Sequence, residues 1–361
     1  MLRFLIVFLF CGFKLLSQDA DTLLGTILRN ENDTDRVNQL YKQGFDLVDK
    51  NPQLAYIYAQ NCEIAAKKSK SLKHISKSDN LLGILFYHQG FYKKSLVYFE
   101  NYLSANKALN NVLGIGFGNT NLGNTYLQLE QFDKAERYYL LAIENYNALN
   151  NKTEVANGLI NLGVLKHEQG QLEAASENYQ KALQTGKELN DYGIKAICLN
   201  NLAQVYSDQG DYEKALAYNY DALEIRDLMG LDVDVSDSYL SIAEVSLKQK
   251  NLVLAEENLD LAFELCTKLE YYEGKMTYHQ LAAELYSQKN NYQLAYENLK
   301  IYNQLNDSLE LMQDIEPVLD FKESIEVTHI QTKNQVKNMW LLGLLSLILI
   351  IIPFVLIRYK R

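Results

Sequence analysis

The chain has little that breaks a helix. Three prolines and 18 glycines occur in 361 residues. Proline removes a backbone donor and clashes inside a helix, so its scarcity leaves long stretches free to be helical. Basic charge is also short. Lys and Arg number 35 against 45 Asp and Glu, a formal charge of -10. Five of those cations, Arg3, Lys14, Arg358, Lys360 and Arg361, lie at the two ends, so the body between them is more acidic still. Phosphate contacts need a net basic face, which excludes nucleic acid as a partner.

Sites for catalysis are equally scarce. The five histidines show no metal-ligand spacing, and "HEQGQ" at His167 lacks the second histidine of a zinc helix. The glycine-rich "GIGFGNTNLG" has no strand before it, so it is not a phosphate loop. Acidic stretches such as "AEENLDLAFEL" read as solvated helix faces. No catalytic residue, metal site or cofactor is expected, and an enzyme is not the expected class. Cysteine supplies no disulfide framework either. Three remain once an N-terminal signal is removed, and an odd number suits buried packing.

Long apolar runs are confined to the ends. "MLR" followed by "FLIVFLFCGF" reads as an export signal over residues 1–18. Cys11 follows Phe10, not the small residue that lipid attachment needs. Residues 339–357 are expected to form a transmembrane helix, about 28 Å long at 1.5 Å per residue. Trp340 suits an interface, and the tail 358–361 is basic, which the positive-inside rule assigns to the cytoplasm. The expected placement is therefore single-pass in the cytoplasmic (inner) membrane. The body lies on the outer, periplasmic side and the C-terminus is cytoplasmic. A tail-anchored cytosolic adaptor is the alternative.

What the body does have is a repeat. Steps of 40 residues give Gly83, Gly123, Gly163, Ala203, Ala243 and Ala283. Twelve residues further on stand Ser95, Ala135, Ala175, Ala215, Ala255 and Ala295. Each unit divides into two helices. The first ends near Gly90, Gly170 or Gly210, and the second near Asn110, Asn150, Asn190 or Gly230. Gly and Asn are residues that take a left-handed cap. Asp211, Asn251 and Asn291 stand where a second helix would be N-capped. Gly or Ala where two helices cross lets them approach closely.

Leu122-Gly123, Tyr126, Ala135, Tyr139 and Ala142 resemble the tetratricopeptide repeat, as do Leu202-Ala203, Tyr206, Ala215 and Ala222, where Asn219 departs from the aromatic. The longer unit is similar to the 40-residue variant of kinesin light chains and bacterial Rap-type regulators. The resemblance implies an all-α, right-handed superhelix, an α-solenoid of about seven helix-turn-helix units over residues 36–305, after a linker at 19–35. It also implies a concave groove, lined by the first helices, that binds an extended peptide or partner protein. Asn121, Asn124, Asn161, Asn200, Asn201 and Gln204 are the groove positions expected to contact it. An Asn side chain both donates and accepts, so it can bond a peptide backbone without reading sequence. The same residues also suit bonds between units, or water. Of the cations a carboxylate clamp needs, only Lys77 is suitably placed.

Residues 306–338 read as a juxtamembrane helix or stalk. Ile315, Val318, Ile325, Ile330 and Val336 offer a possible dimer seam. The domain order resembles the exported sensor region of bacterial tetratricopeptide-containing histidine kinases and regulators, without an output domain. That resemblance implies a regulatory subunit working through another chain.

Overall fold

The computed structural model describes residues 23–313. The expected signal, the seam beyond Gln313, the apolar run at 339–357 and the basic tail lie outside the described residues. Fourteen helices follow a short one at 23–28. They pair as α1 (Asp33–Asp46) with α2 (Pro52–Ser69), α3 (Leu72–His88) with α4 (Tyr92–Ala108), and α5 (Val112–Gln128) with α6 (Phe132–Ala148). Next come α7 (Lys152–Glu168) with α8 (Leu172–Leu189), and α9 (Tyr192–Asp208) with α10 (Tyr212–Leu228). Last are α11 (Asp232–Lys248) with α12 (Leu252–Lys268), and α13 (Tyr272–Gln288) with α14 (Tyr292–Gln313). The described residues form an all-helical solenoid of hairpins. Residues 306–313 simply continue α14.

The joints explain the regularity. A left-handed residue stands at every twentieth position from Lys70 to Asn290. The backbone therefore repeats every 20 residues, and only the side chains repeat every 40. At Gly90 the amide bonds to the carbonyl of Tyr87 (3.0 Å), and the amide of Phe91 reaches back to Phe86 (2.8 Å). That pair of bonds is a Schellman motif, which satisfies carbonyls the helix end would leave open. The same six-to-one bond recurs from Asn111 to Asn106 through to Asn291 to Tyr286. The residue after the left-handed one then caps the next helix. Asn111, Asn151, Asp191, Asp211, Asn251 and Asn291 each accept the amide three residues on. Two residues thus turn the chain through each corner.

Packing follows from complementary sizes at one crossing. A Cβ on Gly83, Gly123 or Gly163 would lie 2.4–2.5 Å from the ring of Phe99, Tyr139 or Tyr179 respectively. Where the small residue is Ala203 or Ala243, the partner position holds Asn219 or Leu259 instead. The departure at Asn219 therefore has a physical reason: an alanine leaves no room for a ring. A second motif recurs beside it. Tyr126 stacks on Tyr138 with Lys134 over the ring, and Tyr206 stacks on Tyr218 with Lys214 over the ring, each stack at 5.4 Å. Cys62, Cys198 and Cys266 are free and buried, filling gaps between helices. Burial pushes the thiols of Cys62 and Cys198 up to about 12, so neither is a reactive thiolate at neutral pH.

The single-pass inner-membrane placement is corrected. Among the described residues, no helix is long and apolar enough to cross a membrane. Every one of these helices except the glycine-rich α5 carries at least two charged side chains, and each packs on its neighbours along the chain. The two segments on which the placement rested are outside the described residues, so export and membrane anchoring are carried no further.

Candidate functional site

First helices and second helices are not equivalent in the array. First helices touch the first helices of neighbouring hairpins: α1 meets α3, α5 meets α7, α7 meets α9 and α11 meets α13. First helices therefore converge on one side, and that side is the inner face of the array.

All six expected groove residues lie on first helices and are half-buried. They fall into four groups. The Asn121 amide nitrogen donates to the side-chain oxygen of Asn80 (3.1 Å), and the Asn80 amide nitrogen donates to the Tyr41 hydroxyl (3.0 Å). This line of bonds ties α1, α3 and α5 together. Asn124 accepts from the Tyr139 hydroxyl (2.8 Å), within its own hairpin. Gln204 donates to Asp208 (3.2 Å), which also meets His167 of α7 (2.7 Å) and Lys248 of α11 (3.6 Å). Gln204 thus belongs to a charged rim that links three hairpins. Asn161, Asn200 and Asn201 make no side-chain hydrogen bond among the described residues.

A cavity of 830 Å³ opens on this face at the N-terminal hairpins. Helix α3 supplies Lys73, Ser76, Lys77, Asn80 and Ile84. Tyr41 and Phe45 of α1, Tyr102 and Asn106 of α4, and Phe117 and Asn121 of α5 enclose it. Asn106 is held on three sides. It donates to Ser76 and to the Tyr102 carbonyl, both at 2.8 Å, and accepts from Asn111 (2.7 Å). The tight glycines of α5 make this possible, since a Cβ on Gly114 would strike the Asn106 side chain. Burial raises the Tyr41 phenol, against the opposing bond from Asn80, and pushes the Tyr102 phenol up to about 12. Both phenols stay neutral at physiological pH, so the lysines alone set the charge of the cavity.

Of the expected residues, only Asn121 lines the cavity. Tyr41, Lys73 and Asn80 were not foreseen. Asn80 lies one residue off the 40-residue register, because α3 meets α5 at a spacing of 41, while α1 meets α3 at 39. Tyr41 belongs to the first hairpin, where the repeat pattern is faint.

The fold and this inner face define a class: a helical-hairpin solenoid that presents one lined surface. Family models for the tetratricopeptide repeat match residues 118–148 and 154–227. The chain carries tetratricopeptide repeats. Solved structures agree on the fold. A Rap protein complexed with competence and sporulation factor is similar at 17% identity and TM-score 0.62, covering 81% of each chain. The apo form of RapI is similar at 14% identity and TM-score 0.59, covering 77% of this chain and 99% of that one. NprR in complex with its cognate peptide NprX is similar at 18% identity and TM-score 0.56, covering 91% and 97%. No curated protein matches the chain in sequence.

Proposed function

We propose that the inner face binds an extended peptide, or an extended segment of a partner protein, and that the chain acts as an interaction protein. One observation carries this reading. Asn161, Asn200 and Asn201 sit half-buried on two consecutive first helices, with no partner for their side-chain amides among the described residues. Each offers both donors and acceptors to a passing backbone. Asn121 and Asn124, by contrast, are engaged inside the array and shape the wall. Two similar solved structures, a Rap protein complexed with competence and sporulation factor and NprR in complex with its cognate peptide, support the reading.

The test is capture of a degenerate nine-residue peptide pool by the immobilised full chain. Replacing Asn161, Asn200 and Asn201 together by Ala removes three amide pairs, each contributing about 1 kcal/mol, so affinity falls roughly 100-fold. Helicity by circular dichroism stays unchanged. Undiminished capture by the triple variant would sink the assignment.

A further inference from the structure

We propose that the cavity beside α3 takes the acidic end of the bound peptide, and that the inner face is polarised so that the peptide's basic end lies toward α11 and α13. This deepens the peptide-binding reading and rests on it.

The cavity is unusual for an acidic chain. None of its lining residues is Asp or Glu, yet two are lysines. Neither Lys73 nor Lys77 forms an ion pair among the described residues, although acids outnumber cations across the chain. Lys77 donates one hydrogen to Asn38 and stands 5.8 Å from the centre of the Tyr41 ring. An ammonium has three hydrogens, so two remain. Lys73 is exposed at the cavity mouth. Phe45 and Phe117 are apolar walls beside the lysines, suited to a hydrophobic residue next to the acid.

Position by position, the charge reverses along the array. Four repeats on, Lys77 is replaced by Asp237. The positions equivalent to Ile84 become Glu244 and Glu284, and Lys73 gives way to Glu273 in α13. The three hairpins between carry no charge at these positions. Glu244 is shared with Lys248 (2.9 Å), while Glu273 and Glu284 form no ion pair among the described residues. A ligand with one acidic and one basic end is complementary to this order, and the uncharged Asn hairpins span its middle.

Three pools of roughly 16-residue peptides, which extend to about 50 Å and so can cross five helix spacings of about 10 Å each, all amidated at the carboxyl end, test the inference on the immobilised full chain. One carries two Asp near one end, one has Asn at those positions, and one adds two Lys at the opposite end to the Asp pool. The Asp pool is expected to be retained about tenfold more than the Asn pool, with the difference shrinking at high salt. Lys73→Gln with Lys77→Gln should bring the Asp pool down to the Asn level, with helicity unchanged. The Lys-bearing pool should gain further retention, lost in Glu273→Gln with Glu284→Gln. Equal retention of the Asp and Asn pools overturns the acidic-end assignment while leaving peptide binding intact. No extra retention of the Lys-bearing pool overturns the polarity. Retention of no pool overturns the peptide reading itself, and this inference with it.

Discussion

At the scale of single residues, the array depends on a few steric exchanges. Gly123 faces the Tyr139 ring, which is 1% exposed and has no room to retreat. Gly123→Ala should cost about 1–3 kcal/mol by overpacking. Tyr139→Leu should restore most of that loss in the double variant, because Ala243 over Leu259 is the same pair elsewhere in the chain. Urea denaturation of the two single variants and the double variant measures the coupling, and additive losses would refute it. A second residue links stability to pH. Asp79 is buried, and burial together with the Glu63 carboxylate raises it to about 7, against the opposing charge of Lys67. A carboxyl raised in the folded state stabilises the fold below its unfolded value and loses that contribution as pH rises through the folded one. The urea midpoint should therefore fall between about pH 4 and pH 7. Asp79→Asn should flatten that slope and leave the variant the more stable above pH 7.

At the scale of elements, each hairpin is governed by its corner. Glu130 holds the left-handed conformation at φ 55°, where four equivalent corners have glycine. An L side chain pays roughly 1 kcal/mol there, so Glu130→Gly should raise stability by about 0.5–1 kcal/mol. A lower urea midpoint in that variant would show that the corner is not strained. These corners also show what could be read in advance. Gly90, Gly170 and Gly210, with the caps Asp211, Asn251 and Asn291, were legible because their residue types are suited to those roles. Glu130, Lys250 and Glu270 carry no such signal; the flanking helices impose the conformation on them. The cavity was hidden for a different reason. Its lining comes from four helices, and it is shaped by glycines whose neighbours lie a helix away. That Asn161 and Asn201 stand at equivalent places on successive first helices was readable by register. That Asn121 is bonded to Asn80 depends on the 41-residue meeting of adjacent helices, which no count of 40 contains.

At the scale of the array, the described hairpins form a one-dimensional stack in which each contacts its neighbours. The joints are interchangeable because Asn150 and Asn190 are both left-handed and are followed by the caps Asn151 and Asp191. Removing residues 151–190 would join Asn150 to Asp191 and preserve that corner. The second helix α6 would then meet the first helix α9, the same class of partner it has in α7. The shortened chain should remain helical and unfold cooperatively, with a lower urea midpoint from the lost interfaces. Removing only residues 151–170 also leaves a plausible corner, because Asn150 would be followed by Gln171. It places a second helix, α8, directly after a second helix, however, and the small-over-large crossing that pairs Gly163 with Tyr179 disappears. That variant should lose cooperative unfolding although it deletes half as much. Circular dichroism with urea titration distinguishes the two deletions. If the 20-residue deletion is the better tolerated, then backbone periodicity rather than side-chain complementarity holds the stack together.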